Sequence, residues 1–471
     1  MTLSVVVVGG GLAGLAAAWE LSGGPKGPGP DAPRVEVIEA AERVGGPLLA
    51  GTFAGRTVDL GPDGYLARRP EATQLITELG RADDLVPIAA SGASLYVGAR
   101  LVPIPRSLSL GVPTTVDAVR EAGLSWRARW AARRDWWWPA PLEVGEDASI
   151  GRIVRTKLGD EIAAKIVEPM IGGIQAGRID DLSAATVFPP LLAAARRGGS
   201  LMKALTPPAT AGASPAPAGP AFYSLRDGLG SLPPTLRGAL EERGVLVRTG
   251  VAVSAVRRAA TGPRWLVETE ATVTPADVVI LATPAVATAQ LVGALDDDLA
   301  ALARVDRAGA AMVALRFRDD DLRLPPAGTG VLVPLGTPWR GGGTMMTTAL
   351  TFLDRKWPHL AREGETLLRA HVGRIDDRRW SEMDDATLVA RVVEELGVLV
   401  GAGEPRETAV SRWAEGLAQY RVGHAALVER ARTGAARVGL HLAGSSYDGV
   451  GVPASIASGR DIAREVLAAR D

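Results

Sequence analysis

Three glycines near the start of the chain have the spacing of a phosphate-binding turn. Gly9, Gly11 and Gly14 occupy the fixed positions of a GxGxxG pattern. The first glycine permits a tight turn, the second lets backbone N–H groups approach a pyrophosphate, and the third lets a helix pack closely on a strand. Farther along, the carboxylate of Glu39 is suited to accept hydrogen bonds from ribose hydroxyl groups. Together these residues predict a dinucleotide site.

The segments around these residues have the patterns of the elements that such a site needs. Leu3–Val8 is a continuous apolar run, typical of a parallel strand buried on both faces. The alanine-rich stretch Leu15–Leu21 predicts a helix after the glycines, and Arg34–Ile38 predicts a second strand that ends at Glu39. A lone GxGxxG can be a turn without a ligand, but this context favours a bound dinucleotide.

Other kinds of catalytic site are excluded or find no support in the sequence. The chain contains no cysteine, which excludes disulfides, thiolate metal sites and cysteine nucleophiles. The four histidines, His359, His371, His424 and His441, are scattered, so we predict no metal site. No catalytic triad or acid pair is recognisable, so we name no catalytic side chain and assign the chemistry to a cofactor. The formal net charge of −1 gives no reason to expect a nucleic-acid partner.

Several longer motifs resemble those of one family of flavoenzymes. Glu39–Gly46 (EAAERVGG) resembles the ExxxRxGG segment of the flavin-containing amine oxidase superfamily, and Val58–Arg69 (VDLGPDGYLARR) resembles a segment of its porphyrinogen oxidase branch. Trp413–His424 and Leu440–Gly459 (LHLAGSSYDGVGVPASIASG) resemble the C-terminal motifs of that branch. Over nearly its whole length the chain resembles the protoporphyrinogen/coproporphyrinogen oxidase family, and in detail the coproporphyrinogen III oxidases of GC-rich Gram-positive bacteria.

The resemblance implies FAD as the cofactor, held by both ends of the chain. The backbone of Val253 would face the adenine, and the small-residue turn before the last helix would face the polar edge of the flavin. The residues that the motifs assign to FAD are Gly9, Gly10, Gly11, Leu12, Ala13, Gly14, Glu39, Ala40, Arg43, Gly46, Gly61, Pro62, Asp63, Gly64, Val253, Trp413, Gly444, Gly449, Val450, Gly451 and Val452.

The resemblance also implies a reaction in haem biosynthesis. The expected activity is the six-electron, oxygen-dependent oxidation of coproporphyrinogen III to coproporphyrin III, with hydrogen peroxide as by-product. Its partners would be the porphyrinogen, dioxygen and, by docking, the next enzyme of the haem pathway. The residues assigned to the substrate are Ile171, Gly172, Gly173, Ala176, Arg178, Gly330 and Leu332.

Two departures from the family pattern concern the substrate. Ala93 stands where protoporphyrinogen-using relatives commonly have an arginine, so one propionate clamp is missing. Gln175 and Arg178 replace a tyrosine and an acidic residue, and Arg178 is either a different clamp or a solvated surface arginine. Coproporphyrinogen III is preferred and protoporphyrinogen IX stays the alternative. An amine oxidase or desaturase of the superfamily, a non-catalytic flavoprotein and a structural Rossmann module also stay open.

The predicted fold class is α/β. It consists of a discontinuous FAD-binding Rossmann-type domain, an α+β substrate domain and a mostly helical domain. The predicted segments are 1–75, 221–295 and 408–471 for the FAD domain, 76–205 for the mainly helical domain, 206–220 for a flexible linker and 296–407 for the mixed-sheet substrate domain.

One segment suggests a contact outside the fold. Residues 125–139 (SWRARWAARRDWWWP) interleave five tryptophans with four arginines, and Trp126, Trp130 and Trp137 share one face at helical spacing. Such a helix can lie in a membrane interface or meet a partner enzyme, or it can pack on its own domain. The first strand begins next to Met1 and no apolar run approaches the roughly 20 residues of a spanning helix. We therefore expect a cytoplasmic protein, with peripheral membrane contact as an open possibility.

Overall fold

The computed structural model of the chain describes residues 2–89, 92–207, 219–262 and 264–469. The linker expected at 206–220 falls mostly on residues 208–218, which lie outside the described residues. The fold is of the mixed α/β class that the sequence predicts, and it is built around two large sheets.

The first large sheet has five parallel strands and carries the glycine turn. Its central strand begins at Ser4 and ends at Val8, and its valines are nearly inaccessible because both faces of the sheet are covered. In spatial order the strands are Leu246–Arg248, Arg34–Ile38, Ser4–Val8, Val278–Leu281 and His441–Leu442. Three distant parts of the chain thus form one Rossmann-type sheet, which confirms the predicted discontinuous domain.

Helices and a small sheet cover the two faces. On one face, a Cβ at Gly459 would lie 2.0 Å from the Ala13 carbonyl oxygen, so the first and last helices can touch only because that residue is glycine. The helices of this face are Leu12–Leu21, Pro70–Glu78, Leu232–Glu241 and Val452–Ala468. The opposite face carries the antiparallel strands Val253–Arg258, Trp265–Thr269 and Val273–Ala276, and the helices Ala285–Val292, Asp297–Ala300 and His424–Val438.

The second large sheet has seven strands and forms the substrate domain. In spatial order they are Glu407–Ala418, Arg307–Arg318, Glu365–Val372, Thr347–Phe352, Gly330–Leu332, Ser94–Val97 and Arg100–Pro103. Only the Gly330–Leu332 and Ser94–Val97 pair is parallel. The helix Asp385–Val400 packs on one face, through a core that includes Ala370 and Val372.

Backbone pairing at two places differs from the predicted segment bounds. Glu407–Ala418, expected to begin the third part of the FAD domain, pairs with Arg307–Arg318 along almost its whole length. Ser94–Val97, expected in the helical domain, pairs with Gly330–Leu332. The sheet that each strand joins is decided by pairing with strands far apart in sequence. Local composition therefore cannot predict it.

The region between residues 104 and 207 is mainly helical. Its helices are Val116–Glu121, Trp126–Trp137, Ile150–Leu158, Asp160–Ile162, the π-helix Ala163–Gly172, Gly173–Gln175, Ala184–Val187, Pro189–Arg197 and Leu201–Leu205. Its one hairpin joins Leu108–Ser109 to Val112–Pro113 among the described residues of this region. No described helix is both long and apolar enough to cross a bilayer.

Short elements join these parts. The short strands are Ala50–Phe53, Arg56–Asp59, Tyr65–Leu66, Leu85–Pro87 and Phe222–Leu225, and a four-residue helix spans Leu353–Lys356. The 3-10 helices are Gly24–Lys26, Ala82–Asp84, Leu229–Ser231, Gly293–Leu295, Ala301–Arg304, Asp319–Asp321, Pro358–Leu360 and Arg379–Glu382.

The tryptophan-rich segment 125–139 exposes four of its five tryptophans. Trp126, Trp130, Trp137 and Trp138 are all exposed, and the fifth, Trp136, packs partly against the helical core. The helix itself packs on its own domain, which was one of the open alternatives, through Ala128 and Ala132.

Candidate active site

Of the three motif glycines, two have no space for a Cβ atom and one does. Gly9 has φ of +108°, and a Cβ there would lie 2.7 Å from the Ala282 carbonyl oxygen. A Cβ at Gly14 would lie 1.9 Å from the Gly9 carbonyl oxygen, so the helix can approach the strand only without a side chain. A Cβ at Gly11 would meet no atom within 4 Å. The open side of Gly11 faces a cavity.

That cavity has a volume of about 460 Å³ and lies where four parallel strands end. The predicted cofactor residues that line it are Gly9, Gly11, Leu12, Ala13, Glu39, Ala40, Gly46, Pro62, Val253, Gly444, Val450, Gly451 and Val452. Residues that the motif assignment missed also line it: Val8, Ile38, Gly45, Pro47, Leu48, Ala252, Ala282, Thr283, Pro284, Ala287, Gln290, Leu291, Arg307, Gly416, Leu417, Ser445, Ser446 and Ser455. The structure thus brings both ends of the sequence to one cavity.

Two helices begin at this cavity without side-chain caps. Gly11 precedes the helix Leu12–Leu21 and Gly451 precedes the helix Val452–Ala468, and neither residue offers a side-chain acceptor to the first-turn N–H groups. Uncapped N–H groups at a helix start bind an anion well, because the helix dipole adds to their partial charge. The cavity is therefore suited to a pyrophosphate.

Glu39 is fixed at the cavity by two backbone donors. Its Oε2 accepts from the Gly10 N–H at 2.6 Å, and its Oε1 accepts from the Ala41 N–H at 2.8 Å. Each carboxylate oxygen can accept a further hydrogen bond. A ribose in the cavity could therefore donate both hydroxyl groups to Glu39.

The other predicted cofactor residues lie behind the lining. They are Gly10, Gly14, Arg43, Gly61, Asp63, Gly64, Trp413 and Gly449. Arg43 donates to the carbonyl oxygens of Gly46 at 2.6 Å and Leu48 at 3.0 Å, and its guanidinium carbon lies 5.6 Å from the ring centroid of Trp413. Burial lowers the pKa of Arg43, although Glu39 opposes the shift. Arg43 and Trp413 thus support the loop that lines the cavity.

Asp63 belongs to a buried charge cluster. Its carboxylate accepts from Lys356 Nζ at 2.9 Å and Trp357 Nε1 at 3.0 Å, and lies 3.1 Å from the Arg369 guanidinium. Burial alone would raise the pKa of Asp63, but the charges of Arg369 and Lys356 outweigh it and hold the pKa far below its usual value. The cluster ties the loop that contains Pro62 to the seven-stranded sheet.

One face of the seven-stranded sheet is turned toward the loop that contains Pro62. A row of side chains crosses this face. Arg369 donates to the carbonyl oxygens of Asp59 and Gly61, both at 3.0 Å, and His371 follows two residues later on the same face. Cross-strand pairing then forms the row Met312, His371, Ala349, Leu332 and Leu95. Leu332 also packs partly against the helical core, so the row faces the helical region.

His371 is a residue that the sequence did not assign to the site. Its Nε2 lies 3.2 Å from Thr351 Oγ1, and its Nδ1 has no hydrogen-bond partner among the described residues. Burial and the charge of Arg369 lower the pKa of His371 to about 3. The imidazole is therefore neutral at neutral pH. Only the alternation of its strand could have indicated the face on which it lies.

The predicted substrate segment docks beside the end of the same strand. The Ile375 N–H donates to the Ala176 carbonyl oxygen at 2.8 Å, and Gln419 Nε2 donates to the Gln175 carbonyl oxygen at 2.8 Å. Gly173 is open on its Cβ side, whereas a Cβ at Gly172 would lie 2.7 Å from the Arg374 guanidinium. Ile171 and Ala176 are buried in the protein. Gln175 Oε1 is buried and has no partner among the described residues.

Two other predicted substrate residues have structural partners. Arg178 lies 2.6 Å from Asp376 and 3.6 Å from Glu168. A Cβ at Gly330 would lie 2.2 Å from the Leu350 carbonyl oxygen. The glycine is therefore required by strand pairing, which the motif could not distinguish from a substrate contact.

Comparisons with known proteins agree with this arrangement. The sequence model of the family described as flavin containing amine oxidoreductase matches residues 12–467. The chain is 31% identical to coproporphyrinogen III oxidase of Bacillus subtilis (strain 168), over 98% of this chain and 97% of the relative. It is 32% identical to coproporphyrinogen III oxidase of Mycobacterium tuberculosis (strain H37Rv), over 99% of this chain and 98% of the relative.

A solved structure is similar over the whole chain. It belongs to a protein of Exiguobacterium sp. 255-15, provisionally described as a protoporphyrinogen oxidase. The TM-score is 0.85 at 31% identity, and the match covers 100% of this chain and 99% of that chain. The similarity therefore extends to both large sheets and to the helical region.

Proposed function

The chain belongs to the flavin containing amine oxidoreductase family, and on that premise we propose that it is an FAD-dependent coproporphyrinogen III oxidase. The observation that carries the proposal is the full-length similarity to relatives of that name, together with a dinucleotide cavity built at the predicted motifs. The reaction removes six electrons and six hydrogens from coproporphyrinogen III. Three molecules of dioxygen would accept them and leave as hydrogen peroxide.

FAD is the cofactor, and the cavity fits it. Glu39 is suited to the ribose, the uncapped helix starts at Gly11 and Gly451 to the pyrophosphate, and the open side of Gly11 leaves room for close approach. Bound FAD supplies hydride acceptance, two electrons at a time. Arg307 lines the cavity as a buried cation and can stabilise negative charge there.

The row on the seven-stranded sheet is the proposed substrate wall. Met312, Ala349 and Leu332 offer an apolar surface of the kind that a porphyrinogen ring requires. The segment around Gly173 forms the facing wall, and it includes Ile174, an apolar side chain that is 66% exposed. These walls would orient a meso carbon toward the cofactor.

His371 is the proposed positioning residue of that wall. A porphyrinogen has pyrrole N–H donors, and the unpartnered Nδ1 of a neutral imidazole can accept one of them without adding charge. His371 would act through orientation alone.

Protoporphyrinogen IX oxidase is the alternative that the solved Exiguobacterium structure supports by its description. Ala93 stands where protoporphyrinogen-using relatives commonly have an arginine, so the chain departs from their pattern at that position. Docking of the next haem-pathway enzyme belongs to the same proposal. Peripheral membrane contact through residues 125–139 also belongs to the proposal, and the exposed side chains of Trp126, Trp130 and Trp137 support it.

An aerobic assay tests the activity. The purified holoprotein should convert coproporphyrinogen III to a fluorescent porphyrin faster than it converts protoporphyrinogen IX, with three molecules of hydrogen peroxide for each porphyrin. A faster reaction with protoporphyrinogen IX would support the alternative. Peroxide formation from primary amines without porphyrin formation would instead indicate an amine oxidase.

A further inference from the structure

The proposed substrate wall and the segment that faces it meet at the end of the strand Glu365–Val372, and the space between them is the substrate slot. On the facing side, the π-helix Ala163–Gly172 leads through Gly173–Gln175 into a turn at Ala176. π-helical turns are rare and are frequent at functional sites. Ala176 has φ of +48°, a left-handed conformation that strains a residue with a Cβ atom. Such a conformation persists only where the surrounding structure holds it.

The seven-stranded sheet holds this turn from outside. The three consecutive carbonyl groups of residues 175–177 accept hydrogen bonds from residues that follow the ends of sheet strands. Gln419 Nε2 donates to the first at 2.8 Å, and the Ile375 N–H donates to the second, also at 2.8 Å. The Arg374 guanidinium donates to the third. The strained turn is therefore fixed by the sheet.

One buried ion pair joins the turn, the π-helix and the sheet. The Arg374 guanidinium donates to Glu168 Oε1, and Glu168 Oε2 accepts from the Ile179 N–H at 3.0 Å. The side chains of Arg374 and Glu168 are only 2% and 3% exposed. Arg374 Nη2 contacts both Glu168 and the Gly177 carbonyl oxygen, so one nitrogen atom links the helix to the segment that follows it.

The backbone packs tightly around this pair. A Cβ at Gly172 would lie 2.7 Å from the Arg374 guanidinium and 3.0 Å from the Glu168 carboxylate. A Cβ at Gly177 would lie 2.4 Å from Gln419 Oε1. A shift of either charged group would therefore move the backbone beside it.

A buried ion pair is a costly way to stabilise a fold. Burial raises the pKa of Glu168, and the charge of Arg374 opposes that shift. Apolar side chains of similar volume often stabilise a protein equally well or better. An ion pair with directed hydrogen bonds instead favours one arrangement of the elements that it joins. The pair is therefore suited to fix a position.

We infer that Glu168 and Arg374 are positioning residues that set the distance between the two walls of the substrate slot. Arg374 follows His371 of the sheet wall by three residues, and Glu168 lies in the helix that leads to Gly173 and Ile174 of the facing wall. A misplacement of about 1 Å can lower a rate about a hundredfold, so wall spacing would control how the ring meets the flavin. The inference rests on the proposed function, because it assigns the slot to a porphyrinogen.

Replacing the pair separates positioning from stability. Arg374→Met alone should lower the urea midpoint of unfolding, because Glu168 would stay buried without its partner. The double variant Glu168→Gln with Arg374→Met removes both charges and keeps an acceptor for the Ile179 N–H, so it should unfold at a higher urea concentration than Arg374→Met. Its kcat/KM for coproporphyrinogen III should nevertheless stay about a hundredfold below that of wild type. Bound flavin and its reduction by dithionite should not change.

A conservative variant tests the same point without removing the charge. Arg374→Lys keeps a cation beside Glu168 but loses the planar fork of donors that also reaches Gly177. It should fold with bound flavin and lower kcat/KM for the porphyrinogen by about tenfold.

A second ion pair on the same strand provides the matched control. Arg56 lies 2.8 Å from Glu365, which begins the strand at the end opposite the slot. Arg56→Met with Glu365→Met should leave kcat/KM unchanged. Hydrogen exchange adds a readout that needs no activity: amides of residues 176–179 should exchange about tenfold faster in the Glu168/Arg374 double variant, whereas the strand Glu365–Val372 should stay protected.

The possible outcomes are distinct. The inference is overturned if the Glu168/Arg374 double variant or Arg374→Lys keeps the wild-type kcat/KM, or if exchange at residues 176–179 does not change in the double variant. It is also overturned if the Arg56/Glu365 control loses as much activity as the double variant. Failure of the wild type to oxidise any porphyrinogen would instead contradict the proposed function, and hydrogen exchange would still show whether the pair fixes the segment.

Discussion

The cofactor cavity and the substrate wall are built in different ways. The cavity is defined by backbone: an open glycine at position 11, two uncapped helix starts, and strand ends that meet at one edge. The proposed wall is defined by side chains such as Met312 and His371, which five strands bring together by pairing. Substitutions at the cavity should therefore act by filling the space beside the backbone that the cofactor needs. Substitutions at the wall should act by removing the chemical group of a single side chain.

The largest expected effect is the difference between Gly14, which is needed for packing, and Gly11, which faces the cofactor cavity. Gly14→Val should prevent folding, because a Cβ at that position would lie 1.9 Å from the Gly9 carbonyl oxygen. Gly11→Ala should leave the apoprotein folded, since its Cβ would meet no protein atom within 4 Å. It should weaken FAD binding by about tenfold to a hundredfold. Thermal unfolding of the apoproteins and flavin titration measure the two effects, and equal behaviour of the variants would contradict this division.

The next effect concerns the link between the two regions. Asp63→Asn should lower the free energy of unfolding by about 3–5 kcal/mol, because the buried cations Lys356 and Arg369 would lose their counter-ion. Lys356→Met should cost less, since Asp63 would keep Arg369. The double variant should be more stable than Asp63→Asn alone. Urea denaturation measures the free energy of unfolding of all three variants. An unchanged value for Asp63→Asn would show that the cluster does not stabilise the fold.

A smaller effect should appear at the wall in catalysis. His371→Gln should lower kcat/KM for the porphyrinogen by about tenfold, through loss of an oriented hydrogen-bond acceptor. The bound flavin and its dissociation constant should not change, because His371 does not line the cofactor cavity. Thr351→Val, which removes the Nε2 partner, serves as the matched control and should have a weaker effect. Loss of flavin from His371→Gln would contradict the separation of cavity and wall.

A further effect at the same residue is a pH dependence of stability, small for each pH unit. The pKa of His371 is about 3 in the folded protein, against about 6.5 in the unfolded chain. Below pH 6.5 the unfolded chain binds a proton that the folded protein excludes, so stability is lost as pH falls from 6.5 toward 3. The loss should be about 1 kcal/mol per pH unit and should be absent from His371→Gln. Thr351→Val should retain it, and parallel pH profiles for wild type and His371→Gln would refute the shifted pKa.

Sequence reasoning reached the glycine turn of the cavity because the requirements of that turn are local. Gly9, Gly11 and Gly14 serve one turn, and their neighbours in sequence are their neighbours in space. Arg43 and Trp413, which the motifs also assign to the cofactor, lie against each other, and Arg43 donates to the lining loop. A motif records which residues recur beside a site, and it does not separate lining from support.

Local sequence patterns could not predict the side chains of the wall or the exposed face of the tryptophan-rich helix. His371 reaches Met312 and Ala349 through strands that are far apart in sequence, so no local pattern marks the row. Helical spacing grouped Trp126, Trp130 and Trp137 on one face, but periodicity does not say which face is covered. Burial of Ala128 and Ala132 decided that point, because small side chains allow the helix to lie close to its domain.

The most direct test of the central claim is anaerobic mixing of the FAD-loaded protein with each porphyrinogen, followed by flavin absorbance. We expect coproporphyrinogen III to bleach the flavin faster than protoporphyrinogen IX does, and porphyrin fluorescence to remain after air restores the flavin colour. Failure of both porphyrinogens to bleach the flavin would contradict the account of this chain as a porphyrinogen oxidase.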